Sequence, residues 1–325
     1  MNILITKWTS LIGFYCSKKL LKKKIKIFGI DNLNNYYDNR IKKKRLKILK
    51  SFKNFKFYKL DICDEKKLNN FFLTNKINIV IHLAAQAGVR YSFINPKKYL
   101  DVNINGFFNI LECMKKNGIQ KLLYASSSSV YGDNKKFPLS EKMPSSKQIS
   151  LYGTTKKYNE ILAYYYFKQF KISSYGLRFF TAYGIWGRPD MSIFNFCKNI
   201  MLGKKINVFN YGNHERDFTF VDDVIESVYK MTKKIKKNQY KIINIAGGNS
   251  VKLMSLIRLL EKNLNKKAKI NYLNLQKGDV VKTLAATKLL KKTINKKKNV
   301  KINDGLNIFC DWFKKEQKFL LKLKN

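Results

Sequence analysis

Tyr152 and Lys156 stand four residues apart, downstream of serines at 126–129. Their side chains are suited to proton exchange with a sugar or alcohol hydroxyl. Positions i and i+4 share one face of a helix, so the Lys156 ammonium can lie beneath the Tyr152 phenol. A phenol alone has a pKa of about 10, and a nearby cation favours its ionised form. A phenolate could take a proton from a hydroxyl while hydride leaves the same carbon, with Ser127 holding that oxygen. This chemistry requires a nicotinamide cofactor.

The spacing alone does not decide the matter, because a tyrosine and a lysine at helical spacing also arise by chance in a lysine-rich chain. The surrounding sequence favours a catalytic role for the pair over a chance spacing. Residues 121–125 form a predicted strand that ends in the serines, and a turn at 130–132 leads to the predicted helix of Tyr152. Hydroxyls at the carboxyl end of a strand are typical of ligand sites in open α/β sheets.

The elements that must position these residues alternate along the first part of the chain. Continuous apolar runs, which suit a parallel sheet buried on both faces, predict strands, and longer amphipathic stretches between them predict helices. We therefore expect a doubly wound α/β fold of the Rossmann type, with a cofactor-binding domain at 1–180 and a smaller substrate-binding lobe at 181–325. The predicted strands are residues 2–5, 25–30, 55–60, 79–83, 122–125 and 174–179, and the predicted helices are 40–50, 66–72, 102–116 and 152–170.

The second part of the chain has a less regular pattern. Residues 186–191 and 211–217 are predicted loops, and a helix is predicted to start at Val221. A strand at 241–245 is predicted to return to the main sheet.

Six segments, in order along the chain, resemble the extended short-chain dehydrogenase/reductases, and more narrowly the UDP-glucuronate 4-epimerases. The resemblance extends over about residues 1 to 320 and implies NAD as cofactor and a UDP-sugar as substrate. The segments are GIDNLNNYY (29–37), HLAAQAGVRY (82–91), YASSSSVYG (124–132), RFFTAYG (178–184), WGRPDM (186–191) and RDFTFVDD (216–223).

The resemblance implies a cofactor site along the carboxyl ends of the first strands. Asp31 would accept hydrogen bonds from the adenosine ribose, which favours NAD over NADP, and Lys156 would also hold the nicotinamide ribose. Asp31 could alternatively be a turn or helix-cap residue. The expected cofactor residues are Thr6, Ser10, Gly13, Asp31, Asn32, Asp61, Ile62, Leu83, Ala84, Ala85 and Lys156.

The phosphate-binding turn departs from the family pattern Thr-Gly-x-x-Gly-x-x-Gly, because residues 6–13 read TKWTSLIG. Only the third glycine, Gly13, is present. Lys7 must adopt a turn conformation that costs a residue with a Cβ about 1 kcal/mol if its φ is positive, and Ser10 places a side chain in the path of the phosphates. The charge of Lys7 and the hydroxyl of Ser10, at a helix amino terminus, offer partial compensation.

The basic composition has a simple interpretation. A net charge of +45 would suit a nucleic-acid-binding protein, but the lysines are scattered over every segment, alongside abundant Asn, Ile, Phe and Tyr. That pattern is typical of a gene rich in A and T, so we expect no specific nucleic-acid partner. The alternative is a basic nucleic-acid-binding module, which a salt-dependent gel shift would detect.

Against this bias the few arginines are informative, because lysine cannot replace a planar bidentate fork. Arg188 and Arg216 are the main candidates for binding a carboxylate or a diphosphate, and Arg90 and Arg178 are further candidates. The alternative for each is packing or a surface ion pair.

Cysteine and histidine usage indicates neither a metal site nor a disulfide framework. The five cysteines are odd in number and dispersed, and only His82 and His214 could assist them. The first apolar stretch is short and interrupted by Lys7, so neither a signal peptide nor a membrane-spanning helix fits. We expect a cytoplasmic protein without a membrane partner.

The resemblance also implies which reaction follows hydride removal from C4. Relatives that eliminate water have carboxylates beside the first serine, whereas this chain has Ser128 and Ser129. A keto intermediate would therefore rotate and take the hydride back on its other face, which is epimerisation, supplying UDP-galacturonate for surface polysaccharide. Tyr152 would act as base and then acid, with Lys156 lowering its pKa and Ser127 as hydroxyl partner.

The substrate contacts implied by the resemblance come from both parts of the chain. Ser128 and Thr181 would touch the uronate, Arg216 the diphosphate, and Asp279 the uridine ribose, while Arg188 would order the pocket and Arg90 would line it. A homodimer through the helices at 102–116 and 152–170 is expected. The alternatives are a UDP-glucose 4-epimerase and a degenerate member with impaired NAD binding.

Overall fold

The computed structural model describes residues 1–295 and 298–324. The strands of its large sheet follow the apolar runs of the sequence. The strands are β1 (Asn2–Thr6), β2 (Lys26–Asp31), β3 (Phe55–Lys59), β4 (Ile79–His82), β5 (Lys121–Ser127), β6 (Ser173–Phe179), β7 (Thr181–Tyr183), β8 (Lys205–Phe209), β9 (Glu215–Phe220), β10 (Tyr240–Ile245), β11 (Ser250–Lys252) and β12 (Lys269–Leu273).

The helices alternate with the strands in the first half of the chain and group together in the second. A π-helical segment at Leu100–Asn105 overlaps the start of the stretch predicted as one helix at 102–116. The α-helices are α1 (Leu11–Lys22), α2 (Asn39–Lys50), α3 (Glu65–Thr74), α4 (Tyr91–Ile94), α5 (Pro96–Tyr99), α6 (Gly106–Lys116), α7 (Leu151–Phe170), α8 (Ser192–Met201), α9 (Val221–Lys234), α10 (Leu253–Leu264), α11 (Lys288–Ile294), α12 (Ile302–Lys315) and α13 (Gln317–Leu320).

Seven strands form one parallel sheet in the order β3-β2-β1-β4-β5-β6-β10. The order reverses between β1 and β4, and in open α/β sheets such a switch point opens a crevice at the carboxyl ends of the strands. This confirms the predicted doubly wound fold. The strand predicted at 241–245 is β10, which pairs with β6 at the edge of the sheet.

Side chains of alternate strand residues build a core on each face of this sheet, because successive residues of a strand point to opposite faces. Ile3 and Ile5 pack with Phe14 of α1 and Val224 of α9 on one face. Leu4, between them, packs on the other face in a core that includes residues of α3, α6 and α7. Both faces are therefore covered, as the apolar runs predicted.

The remaining elements form a second core over the carboxyl ends of the strands. Helices α8, α10 and α12 contribute Phe194, Leu256 and Phe309 to this core, together with Val208 of β8. β7, β9 and β11 form a small sheet, and β8 pairs with β12. A division of the chain at residue 180 stays a prediction, since α9, β10 and α11 pack on the large sheet although they follow that point.

One loop prediction was wrong in part. Residues 211–217 were predicted as a loop, but β9 begins at Glu215 and carries Arg216 and Asp217 within it. Asp217 is fully buried, and the backbone N–H groups of Gly247, Gly248 and Ala285, which donate to its carboxylate, offset its lost hydration. A charged strand residue of this kind has no signature in hydrophobic periodicity.

Across the described residues, no helix combines the length and apolar character that crossing a bilayer requires.

Candidate active site

Ser127, Tyr152 and Lys156 meet in one cleft of about 830 Å³ at the carboxyl ends of the central strands. Ser150 caps α7 by accepting a hydrogen bond from the N–H of Gly153, so the helix begins just before Tyr152. Lys156, one turn later, is buried and donates to the carbonyl of Ala125 at 2.8 Å. The Ser127 hydroxyl accepts from the N–H of Ser129 at 3.1 Å and faces the cleft.

Opposing influences act on the ionisation of this cluster, and the predicted lowering of the Tyr152 pKa by Lys156 stays a prediction. Burial raises the pKa of Tyr152, and the influences that oppose this are a hydrogen bond with Ser127 and the charge of Arg188. Burial, followed by the charge of Lys7, lowers the pKa of Lys156 itself to about 7, because a cation loses hydration in an enclosed site.

A second cluster in the same cleft contains Arg90, Arg216, Asp279 and His214. The Arg216 guanidinium donates to Asp279 at 2.8 Å and to the carbonyl of Val281 at 2.9 Å. Arg90 lies 3.8 Å from the same carboxylate. His214 Nε2 lies 3.6 Å from it, and burial and the charge of Arg216 lower the pKa of this imidazole. Two guanidinium groups thus share one carboxylate, which leaves a positive site for an anion.

Arg188 lines the same cleft. Its guanidinium donates to both carboxylate oxygens of Asp190, with Nε at 2.9 Å from Oδ1, and lies 5.1 Å from the Tyr36 ring centre. A bidentate pair stacked on an aromatic ring has a fixed orientation. Ser128 and Thr181 also line the cleft, so all of the predicted substrate residues are brought together.

Arg178 was a candidate for binding a carboxylate or diphosphate of a ligand, but the structure pairs it within the protein. This buried arginine makes two hydrogen bonds of 2.8 Å to Glu160 of α7, and Ser126 donates to the same carboxylate at 2.7 Å. The carboxylate that Arg178 grips is therefore part of the protein. The bond joins β6 to α7 and helps to fix the helix that carries Tyr152.

The turn between β1 and α1 contains the most unusual side chains of the cofactor region. Lys7 has a φ of 52°, as the missing glycine predicted, and its ammonium donates to the carbonyl of Ala85. Ser10 caps α1 by accepting from the N–H of Gly13 at 3.0 Å. A Cβ on Gly13 would stand 2.4 Å from the carbonyl oxygen of Lys7, so only glycine fits there.

Thr6 is fully buried and lies outside the cleft lining. Its hydroxyl accepts from the N–H groups of Leu83 at 3.0 Å and Ala84 at 2.8 Å, which fixes the end of β4 beside β1. Leu83 and Ala85 line the cleft.

The predicted adenosine-binding residues line a smaller cavity of about 30 Å³ on the other side of Lys7, together with Ala84 and Ala85. The Asp31 carboxylate accepts from the N–H and hydroxyl of Thr9 and from the N–H of Leu33 at 2.8 Å. Asn32 donates to Asp61 at 2.8 Å, and Ile62 completes the wall. A carboxylate offers about four acceptor positions, so Asp31 retains capacity for a ribose hydroxyl.

Several residues of the site were not among the predicted site residues, although Tyr36 lies in the segment 29–37. Tyr36 stacks on Arg188, and Phe209 lies 4.6 Å from the Arg90 guanidinium. Asp190 could have been found, because it follows Arg188 by two residues and a buried guanidinium needs a carboxylate. Among the described residues, no cluster of His, Cys, Asp and Glu could hold a metal ion.

Comparison with known proteins identifies the family. The model of the NAD dependent epimerase/dehydratase family matches residues 3–246. The chain belongs to this family. An uncharacterised protein of Methanocaldococcus jannaschii is 47% identical over 324 residues, which are 99% of each chain. A UDP-glucuronate 4-epimerase of Thermodesulfobacterium geofontis is 40% identical over 99% of this chain and 98% of its own.

A solved structure extends the likeness to three dimensions. The UDP-glucuronic acid 4-epimerase of Bacillus cereus, crystallised with UDP-glucuronic acid and NAD, superposes with a TM-score of 0.91 at 31% identity, over 97% of this chain and 99% of that one. The predicted family, enzyme class and NAD cofactor are thereby confirmed.

Proposed function

We propose that the protein is an NAD-dependent UDP-sugar 4-epimerase that converts UDP-glucuronate to UDP-galacturonate through a transient 4-keto sugar. The observation that carries this proposal is the meeting, in one cleft, of the Tyr152 proton-transfer cluster and the Arg90–Arg216 cation cluster. The first cluster suits oxidation of a sugar hydroxyl, and the second suits a diphosphate. Relatives of matching length and fold are named for this reaction.

The residues of the cofactor region fit a dinucleotide. Asp31 would hold the adenosine ribose, Asn32, Asp61 and Ile62 the adenine side, and Leu83, Ala84 and Ala85 the middle of the cofactor. Ser10 and the amino terminus of α1, which has no acidic residue in its first turn, would face the phosphates. Thr6 and Gly13 would act through the backbone that they fix, and Lys156 would reach the nicotinamide ribose.

The chain's own groups account for the proton steps. Bound NAD supplies the hydride acceptor for C4 of the sugar. Tyr152 takes the proton of the C4 hydroxyl, and Ser127 donates a hydrogen bond that holds the oxygen during this transfer. After the keto sugar has rotated, Tyr152 returns the proton. Because Ser128 and Ser129 carry no carboxyl group, the site lacks a base at these positions for eliminating water, which leaves epimerisation.

The substrate's charges are matched by separate groups. Asp279 pairs with both Arg216 and Arg90. The two arginines would bind the diphosphate, and Asp279 would lie beside the uridine ribose. Ser128 and Thr181 donate to the uronate, while Arg188, held by Asp190, supplies positive charge and a fixed wall.

The active unit is a homodimer formed through α6 and α7, two helices that pack against each other. Apolar side chains on α7 remain exposed, among them Ile161 at 58% and Tyr165 at 50%. Their spacing of four places both on one face of the helix. An apolar face of this kind suits a helix pair from a second copy.

The proposed setting is the cytoplasm, with the product used for surface polysaccharide. The five cysteines are free in the structure, and four of them are buried, which suits a reducing compartment.

Turnover of two substrates by the purified protein tests this function. We expect conversion of UDP-glucuronate to UDP-galacturonate, followed by chromatography, with kcat/KM at least about tenfold above that for UDP-glucose, because charge-assisted hydrogen bonds to the uronate contribute roughly 1.5–3 kcal/mol. Faster turnover of UDP-glucose would favour the alternative epimerase. No turnover of either sugar, with no bound NAD, would favour the degenerate member.

A further inference from the structure

Lys7 occupies a place where its family uses glycine, and its side chain lies across the expected course of the dinucleotide. It lines both the main cleft and the smaller cavity of Asp31 and Asp61, so it stands between the nicotinamide side and the adenosine side. Its ammonium donates to the carbonyl of Ala85, on the opposite wall. The smaller cavity, of about 30 Å³, has Lys7 as part of its wall, so movement of this side chain would widen the path for a bound adenosine.

The charge of Lys7 is poorly compensated. Among the ion pairs of residues 1–295 and 298–324, none includes Lys7. The charged groups around it are Arg188, Lys42, Asp31, Asp190 and Lys156. Burial and then the charge of Arg188 lower the pKa of Lys7 to about 7. A partly desolvated cation whose hydrogen-bond partner is a neutral carbonyl is stabilised strongly by an anionic ligand that can reach it.

The amino terminus of α1 adds to this preference. Lys7 precedes the N-cap of that twelve-residue helix, Ser10, by three residues. The first N–H groups of a helix attract anions, so an anion bound there would lie near the backbone that carries Lys7.

We propose that Lys7 is a diphosphate-binding residue, whose ammonium leaves the Ala85 carbonyl when a dinucleotide enters and pairs with the dinucleotide's diphosphate. The inference rests on the proposed NAD-dependent function and deepens it. The Lys7 side chain thus narrows the cofactor path while it bonds to Ala85, and it binds the diphosphate once the cofactor has entered. Because pairing with a dianion favours the charged lysine, binding should take up protons near neutral pH.

Titration calorimetry with NAD and with adenosine, which lacks phosphate, tests the inference without relying on turnover. We expect Lys7→Met to weaken NAD about tenfold to a hundredfold, the range for loss of one charge-assisted hydrogen bond, and to leave adenosine within about threefold. Lys7→Arg should recover most of the loss. Lys22→Met, which removes an exposed charge from the far end of α1, is the matched control and should bind NAD like the parent protein.

Lys7→Gly separates binding from obstruction. If Lys7 only blocks the path, restoring glycine tightens NAD, and the inference is overturned. If Lys7 binds the diphosphate, Lys7→Gly weakens NAD as Lys7→Met does, although it relieves the positive φ. Unfolding curves without ligand show that each variant is folded.

Proton uptake provides a second readout. Titrations at pH 7.5 in buffers of different ionisation enthalpy should show uptake on NAD binding by the parent protein and little by Lys7→Met. Equal NAD affinity and equal uptake in both proteins would overturn the inference while leaving the epimerase proposal intact. A parent protein that binds no NAD would overturn both.

Discussion

Tyr152 shows how the surroundings of one side chain decide its chemistry. The tyrosine and the lysine were predicted to act as a pair, and that role of Lys156 stays a prediction. Lys156 donates to the Ala125 carbonyl, while a hydrogen bond with Ser127 and the charge of Arg188 oppose the rise in the Tyr152 pKa that burial causes. Ser127 is therefore more than a substrate holder. It is also the hydrogen-bond partner that favours ionised Tyr152.

Replacing Tyr152 by phenylalanine tests the assignment of the base. General acid–base groups contribute roughly 10²–10⁴-fold, so Tyr152→Phe should lower kcat by about that factor. UDP binding, measured by calorimetry, should stay within about threefold, because the arginine cluster is unchanged. Tyr158→Phe, at a 40% exposed position of the same helix, is the control and should keep its activity. A Tyr152→Phe enzyme with full activity would refute the assignment.

The arginines show what residue type and motif can and cannot predict. Arg90, Arg188 and Arg216 were expected in the site, and all three line the cleft. Arg178 belongs to a matching motif as well, but its partner Glu160 lies 18 residues earlier on a neighbouring helix. Sequence alone could not distinguish an arginine available to a ligand from one already paired with a carboxylate of the protein. The pairing depends on how α7 packs on β6.

At the scale of elements, the large sheet could be predicted because its strands are continuous apolar runs. The small sheet could not. β7 is three residues long, and β9 contains the buried Asp217, whose carboxylate accepts hydrogen bonds from Gly247, Gly248 and Ala285. Arg45 of α2, also unforeseen, donates to the carbonyls of Thr9 and Trp186 and so ties the cofactor turn to the substrate loop.

The proposed dimer is an element-scale prediction. Ile161→Glu places a charge in the apolar face of α7, and we expect the dimer to weaken by about 2 kcal/mol or more, roughly thirtyfold in Kd. Analytical ultracentrifugation measures this. Leu73→Glu adds the same charge at a 76% exposed position of α3 and should leave the dimer unchanged. Equal dimerisation of both variants would place the interface elsewhere.

For the whole molecule, several buried titratable groups make stability depend on pH. The pKa values of Lys7 and Lys156 are lowered to about 7 and that of Lys42 to about 8, mainly by burial. Between these values and about 10.4, the unfolded chain holds more protons than the folded one, so stability rises with pH. Burial raises the pKa of Tyr15, Tyr99 and Tyr183, so stability falls above about pH 10 as these tyrosines ionise in the unfolded chain.

Urea unfolding across pH 5 to 11 measures this dependence. We expect a maximum near pH 9 to 10, and a loss below about pH 6.5, where unfolded His82 takes up a proton that the folded protein, with a pKa of about 3, does not bind. Raising the pH also relieves charge repulsion in a chain of charge +45, and this increases stability in the same direction as the buried lysines do. Lys7→Met separates the two effects and serves as the control. Its stability should rise less between pH 7 and 9.5. A maximum near pH 6 with no difference between the two proteins would contradict the account.

The fate of the hydrogen at C4 tests the central claim most directly. UDP-glucuronate carrying deuterium at C4 would be incubated with the purified protein in ordinary water, without added reductant, and the product examined by NMR. Hydride that leaves and returns to the same carbon predicts UDP-galacturonate with deuterium retained at C4. Replacement of that deuterium by solvent hydrogen, or the absence of an inverted product, would contradict epimerisation through a 4-keto sugar.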